Sequence, residues 1–190
     1  MLVLGIAVAV ALVIPLITLG SYKRLFETKL HWTGLLAASL AIQLSLEFYT
    51  LPDRYWDNLG YGLLVGSYVL LLAFIARNVV LRGMSIVFIG IACNALVITL
   101  NHGMPVKLPP EWKNESWAEA TLKHHPRDSD DKLLALSDII IVREPVNNVL
   151  SFGDLILAVG LCDVSYNASR NPRRAKRKAQ RRVARMAARS

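Results

Sequence analysis

The sequence predicts an all-α fold, a polytopic membrane bundle of about five transmembrane helices. Three observations carry that expectation. Apolar residues gather in long uncharged blocks, basic residues crowd into alternate connections, and ten of the 22 Lys and Arg fall between Arg170 and Arg189. Of the 190 residues 54% are hydrophobic, against roughly 45–50% in a soluble domain with short scattered runs. Mean hydropathy is +0.39. The formal net charge of +8 belongs to the basic segment alone, because the rest of the chain carries 12 basic residues against 14 acids.

The first span is expected over residues 2–19, which carry no charge. At about 1.5 Å per residue such a helix nearly matches a hydrocarbon core of roughly 30 Å. A cleaved signal peptide is the rival reading, but no basic residue precedes the run and Lys23 and Arg24 follow it. The second span, residues 32–49, is bracketed by aromatic residues and interrupted by Gln43 and Glu47. The third, 59–76, holds Gly62 and Gly66 at a spacing that permits close helix approach. The fourth covers 84–100 and stops at Asn101-His102-Gly103-Met104-Pro105, with Gly103 expected in the left-handed position. The fifth covers 149–166, with Asp154 near its start and Asp163 near its end.

Charge orients these spans. The connection 21–31 holds three basic residues and 77–83 holds two, whereas 50–58 has only Arg54, offset by Asp53 and Asp57. Basic connections stay on the cytoplasmic side. Five spans with the N-terminus outside and the C-terminus inside satisfy every segment; an even number does not. The bundle then occupies residues 1–166, and 167–190 form a basic cytoplasmic tail. The outer connection, 102–148, has six basic residues and eight acids. In it, residues 114–123 suggest a short helix with Trp112 and Trp117 at the membrane surface. The apolar run 133–142 is too short to span as a helix. A re-entrant or interfacial segment is expected there, or a buried strand, toward which Ile139-Ile140-Ile141-Val142 leans.

Polar side chains inside hydrocarbon are costly and usually face the bundle interior. Glu47, Asn94, Asn101, His102, Asp138 and Asp154 are the candidates for one outward-facing polar pocket. Gln43 and Glu47 share a helix face, as do Asn94 and Asn101. The bland reading sets helix ends against that pocket: Ser151 caps a helix, Asp154 meets the amides of its first turn, and Asn101 satisfies freed carbonyls. His124, His125, Asp128, Asp130 and Asp131 are metal-donor types, but adjacent histidines without a second anchored pair read as a solvated loop, so no metal and no cofactor are assigned. Cys93 and Cys162 sit in apolar runs and read as packed side chains. Asn114-Glu115-Ser116 fits a glycosylation acceptor, which has meaning only in a eukaryotic secretory pathway. No nucleophile elbow, phosphate-binding glycine loop or paired zinc-protease histidines are present.

On a wheel of about 100° per residue, Arg173, Arg174, Arg177, Lys178, Arg181, Arg182 and Arg185 share one half, and Ala175, Ala179, Val183 and Met186 gather opposite. Such a helix lies on an anionic inner leaflet, each charge contributing about 1 kcal/mol. The expected partners are the bilayer, anionic lipid at the tail and a further membrane protein; nucleic acid is the less favoured partner of the same charges.

Asn94-Ala95-Leu96-Val97-Ile98 leading to Asn101-His102-Gly103-Met104-Pro105-Val106, then Leu136-Ser137-Asp138-Ile139-Ile140, then Ser151-Phe152-Gly153-Asp154-Leu155-Ile156, resembles a family of small bacterial multi-span proteins of unknown function. The likeness runs from about Leu2 to Leu161. It departs at His102 and Phe152, where the family tends to have Gly and Ile, so any role of His102 is private to this sequence. The resemblance implies a multi-pass protein of the bacterial plasma membrane and no particular activity. The leading functional expectation is a non-enzymatic accessory or scaffold component. The alternative is a membrane-embedded enzyme or carrier that handles a lipid-linked or small polar substrate in the outward-facing pocket.

Overall fold

The computed structural model describes residues 2–48, 56–109, 123–144 and 147–170. The chain is mostly helical. Its helices are α1 (Leu2–Ile17), α2 (Tyr22–Phe26), α3 (Thr33–Phe48), α4 (Tyr61–Arg77), α5 (Met84–Asn101) and α6 (Phe152–Ser169), and a π-helical turn, Trp56–Gly60, leads into α4. Between α5 and α6 lie four short strands, β1 (Met104–Val106), β2 (His124–Pro126), β3 (Ile140–Val142) and β4 (Asn148–Leu150). Two described helices, Asn58–Arg77 and Met84–Asn101, are long and apolar enough to cross a membrane, with hydropathy of 2.1 and 2.0; the apolar stretches Gly5–Ile17 and Thr33–Leu46 are shorter.

The helices pack as a row, α1 on α6, α6 on α5, α5 on α4 and α4 on α3. Small side chains set the first contact. Ala7, Ala11 and Pro15 recur every fourth residue and are buried, whereas Ile6, Val10, Val13 and Ile17 on the other faces of α1 are exposed. The Ser165 hydroxyl donates to the Ala11 carbonyl at 2.6 Å, so α6 reaches the α1 backbone itself. At the far end of the row, the buried Ser39 hydroxyl donates to the Ser67 carbonyl and joins α3 to α4.

The closest seam is α5 against α6. A β-carbon at Gly90 would stand 2.7 Å from the Gly153 carbonyl oxygen, and one at Gly160 would stand 2.6 Å from the Val87 nitrogen. Gly83, at φ 92°, starts α5 against the Val164 backbone. Gly62 and Gly66 do not play this part: a β-carbon at either would meet nothing within 4 Å. Their spacing fits close approach, but α4 turns that face to open space.

The apolar run 133–142 forms no helix, and its end takes up the strand toward which its β-branched residues lean, so the all-α expectation holds only for the larger part of the chain. Its β-branched end forms β3, antiparallel to β4, with Ile141 opposite Val149. Ahead of it, Asp138 bridges Val106: the Lys107 amide donates to the Asp138 carbonyl at 2.8 Å, and the Asp138 amide donates to the Pro105 carbonyl at 3.1 Å. β1 pairs in parallel with β2. Residues 149–151, placed in the last span by their apolarity, belong instead to β4 and the cap of α6.

Lys23, Arg24, Lys29, Arg77, Arg82 and Arg170 collect at one end of the row, in the segments that join α1 to α3 and α4 to α5 and at the end of α6. That end is clasped by Asn78, which donates to the His31 carbonyl and accepts from the His31 amide, both at 2.8 Å. The strands cover the opposite end.

Candidate functional site

The strand-covered end of α6 begins with a complete capping box. Ser151 Oγ accepts from the Asp154 amide, and Asp154 Oδ2 accepts from the Ser151 amide, each at 3.0 Å. This satisfies two amides that the first turn would otherwise leave open. Asn94, buried in mid-α5, completes the knot. Its Nδ2 donates to Asp154 Oδ1 at 2.9 Å, and its Oδ1 accepts from the Ser151 hydroxyl at 3.0 Å. Gly153 leaves the space: a side chain there would collide with the Asn94 carboxamide. Both Asp154 oxygens are thus engaged.

Asp138 is the opposite case. It is 6% exposed, and its carboxyl makes no hydrogen bond among the described residues. Its nearest charged-type neighbour is His124 Nε2, at 3.8 Å, beyond hydrogen-bond range. Burial, and then the Asp154 carboxylate, push the Asp138 carboxyl up from its ordinary 3.8 to about 8. An ion without partners in a poorly hydrated place is disfavoured, so the neutral acid persists.

Asp138 and Asp154 line one cavity of about 560 Å³, within the usual range of small-molecule sites. At the strand-covered end its wall is polar, with Gln43, Asn94, Lys123, His124, Asp138 and Asp154. Tyr68 stands on the α4 side, and below it the wall is apolar: Leu71, Phe74, Ile91, Leu157 and Leu161. The two outer helices of the row also contribute, Val8 from α1 and Leu36 and Leu40 from α3, so the row curls around a hollow. The Lys123 ammonium donates to the Gln43 carbonyl at 2.8 Å and fastens the strand layer to α3.

Not every polar candidate reaches the hollow. Asn101 faces the loop, where its carboxamide donates to the Lys132 carbonyl at 2.9 Å and accepts from the Lys132 amide at 2.7 Å. His102 is exposed and takes the left-handed turn itself (φ 54°, ψ 31°), one residue before the glycine expected there, with its ring 4.6 Å from that of Tyr61. Neither lines the cavity. Glu47 lies in the last turn of α3, and its side chain falls outside the described residues. So do residues 114–122 of the suggested helix, whose last position, Lys123, is a bend before β2, and the tail residues Arg173 to Arg185. His124 and His125 diverge, one toward Asp138 and the other toward Asp131, as neighbours on a strand must. Among the described residues no three His, Cys, Asp or Glu side chains converge as metal ligands.

A family of unknown function, DUF5317, matches residues 27–164. The chain belongs to this family. No curated protein and no solved structure gives a significant match. The DUF5317 match begins after α1, whereas the resemblance read from the sequence begins at Leu2. It includes the whole polar wall of the hollow, from Gln43 through Asp154.

Sequence reasoning about this DUF5317 chain missed Tyr68, Lys123 and Asn148 in the cavity wall. Tyr68 sits in an otherwise uncharged apolar run and reads there as one more packed aromatic. Lys123 and Asn148 lie in a long connection whose spacing says nothing of where it folds back. Gln43, whose carboxamide interrupts the second apolar run, carried a signal and lines the cavity wall.

Proposed function

We propose that this DUF5317 protein is a multi-pass membrane protein that binds an amphipathic molecule without transforming it. The molecule's chain lies in the apolar stem of the hollow, and its head meets the polar wall at the outer end. The observation that carries this reading is the division of the 560 Å³ cavity into a polar mouth and an apolar stem. A hollow of this build between helices suits a lipid or lipid-linked molecule better than a wholly polar solute. Scaffolding alone gives no reason for an unbonded buried acid at its mouth.

The membrane setting is part of the proposal. Five spans, α1, α3, the 58–77 helix, α5 and α6, place the N-terminus outside and residues 167–190 inside. Support comes from the apolar residues that α1 exposes on every face but one, which water would not tolerate as a continuous surface. Further support is the gathering of six basic residues at the end opposite the strands. The tail, held by its arginines to anionic lipid of a bacterial plasma membrane, extends that basic end. At its root Arg170 stacks over the Tyr166 ring at 4.3 Å.

The test is lipid analysis of the full chain purified in mild detergent, with native mass spectrometry of the complex. One bound amphiphile per chain is expected, reduced at least about tenfold by Leu161→Trp, which fills the stem. A chain that carries no bound amphiphile, or carries it equally in Leu161→Trp, overturns the reading.

A further inference from the structure

The mouth of the hollow holds an acid, Asp138, whose carboxyl makes no hydrogen bond among the described residues and has only His124 Nε2 beside it, at 3.8 Å. Among the described residues, the Asp138 carboxyl, the Tyr68 hydroxyl and the Gln43 carboxamide line the cavity without making a side-chain hydrogen bond. Among the described residues the other carboxylate lining the cavity, Asp154, is engaged by Asn94 and the Ser151 amide. A buried, unbonded acceptor is costly to keep and is filled when a donor arrives. Asp138 is 6% exposed, and its position is set by two backbone hydrogen bonds to the β1 segment, so it does not swing out to find water.

We propose that the mouth is a head-group subsite for an amine, with the ammonium group of a cationic amphiphile seated between the Asp138 and Asp154 carboxyls. This rests on the reading of the hollow as an amphiphile site and adds the identity of the head. The groups that face Asp138 are Asp154 from α6, His124 from β2, Lys123 at the start of β2 and Tyr68 from α4. The Lys123 ammonium is anchored on the Gln43 carbonyl, and both Asp154 oxygens already accept hydrogen bonds, from Asn94 and the Ser151 amide. The group left to answer an incoming cation is Asp138.

Binding then carries a proton balance. An ammonium head joins a neutral Asp138, the carboxyl O–H proton leaves for solvent, and the ammonium donates its hydrogen bonds to the carboxylate that results. The net reaction is one amphiphile cation bound and one proton released. Burial and Asp154 hold the empty site's carboxyl neutral up to about pH 8, so amine binding strengthens as pH rises toward 8 and levels off above it. An alcohol head of the same chain length needs no ionisation and shows no such rise.

The experiment compares dodecylamine with dodecanol on the full chain in detergent micelles at matched mole fractions, at pH 6, 7 and 8. Affinity is read by native mass spectrometry, and proton release by calorimetry in buffers of different ionisation heat. The expected result is dodecylamine bound about tenfold or more tightly than dodecanol at pH 8, a preference that shrinks toward pH 6, and about one proton released per amine. Asp138→Asn should abolish the preference and the proton release, and a thermal midpoint in detergent no lower than that of the parent chain shows that the variant is folded. Equal binding of both probes, each lost in Leu161→Trp, overturns the amine subsite and leaves the hollow standing. Preference retained in Asp138→Asn overturns it as well. If Leu161→Trp changes neither probe, the hollow is not the site and both proposals fall.

Discussion

The two sides of α6 meet their neighbours on opposite terms. Toward α5 the helix presents Gly153, Leu157 and Gly160, backbones come within side-chain distance, and each polar atom of Asn94, Ser151 and Asp154 that faces the seam has a partner. Toward the hollow it presents Leu161 to the stem, and the acid across the mouth, Asp138, makes no hydrogen bond among the described residues, with His124 the neighbour at 3.8 Å. The contrast separates polar residues that hold the fold from those free to receive something. Asn94 and Asp154 are of the first kind although both line the cavity. Polarity inside an apolar bundle is therefore no measure of function until its hydrogen bonds are accounted for.

The largest blow to this contrast comes from the seam. Gly153→Val drives a branched side chain into the Asn94 carboxamide and breaks the α5–α6 knot. We expect a loss of about 3 kcal/mol or more, read as a fall in the thermal midpoint in detergent. A change of under about 1 kcal/mol would mean that the seam opens freely and that the two sides of α6 do not differ.

Asp138 sharpens the other side of the comparison. Its carboxyl titrates near 3.8 when unfolded and about 8 when folded, so between those values the folded chain holds a proton that the unfolded chain has released. Its contribution to stability is therefore full below about pH 4 and is lost as pH rises to about 8. The thermal midpoint of the empty protein should fall between pH 5 and pH 8, and Asp138→Asn should flatten that fall and stabilise the protein at pH 8 by at least about 1 kcal/mol, read as a higher midpoint. An unchanged slope in Asp138→Asn would show that the carboxyl is solvated or paired.

His102 gives the smallest effect. A non-glycine residue at φ 54° costs roughly 1–2 kcal/mol of backbone energy, partly repaid by its ring on Tyr61 at roughly 0.5 kcal/mol. His102→Gly, which also frees the unfolded chain, should stabilise by about 0.5 kcal/mol and leave amphiphile binding unaltered. Loss of binding in that variant would place His102 in the site after all.

What the sequence made legible follows from which interactions are local. The apolar runs match α1, α3, α4, α5 and most of α6 because helix formation and burial depend on residues a few positions apart. The Ser151–Asp154 capping box was readable for the same reason. The α5–α6 seam was not: Gly90, Gly153 and Gly160 come from two segments about 60 residues apart, and their meeting depends on which helices become neighbours. Gly62 and Gly66 had the suggestive spacing and face nothing. For the site, Asp138 and Asp154 were legible as costly polar residues near one end. Asn101 was grouped with them because it ends the right helix, but a carboxamide at a helix end is as well satisfied by a passing backbone, and here it takes that of Lys132. Of the strands only β3 left a signal, in the β-branched run 139–142; the three-residue ladders of β1, β2 and β4 leave almost no periodicity to read.

The parallel pairing of β1 with β2 also has a mechanical meaning. Met104 and His124 lie side by side, as do Val106 and Pro126, so the chain that departs after β1 comes back to its own point of departure. The two ends of the connection are therefore held side by side by the β1–β2 pairing, whatever its length. Doubling such a loop costs only about 0.6 kcal/mol in closure entropy. A connection with paired ends is thus where this protein can lengthen or accept a grafted epitope while the hollow keeps its shape.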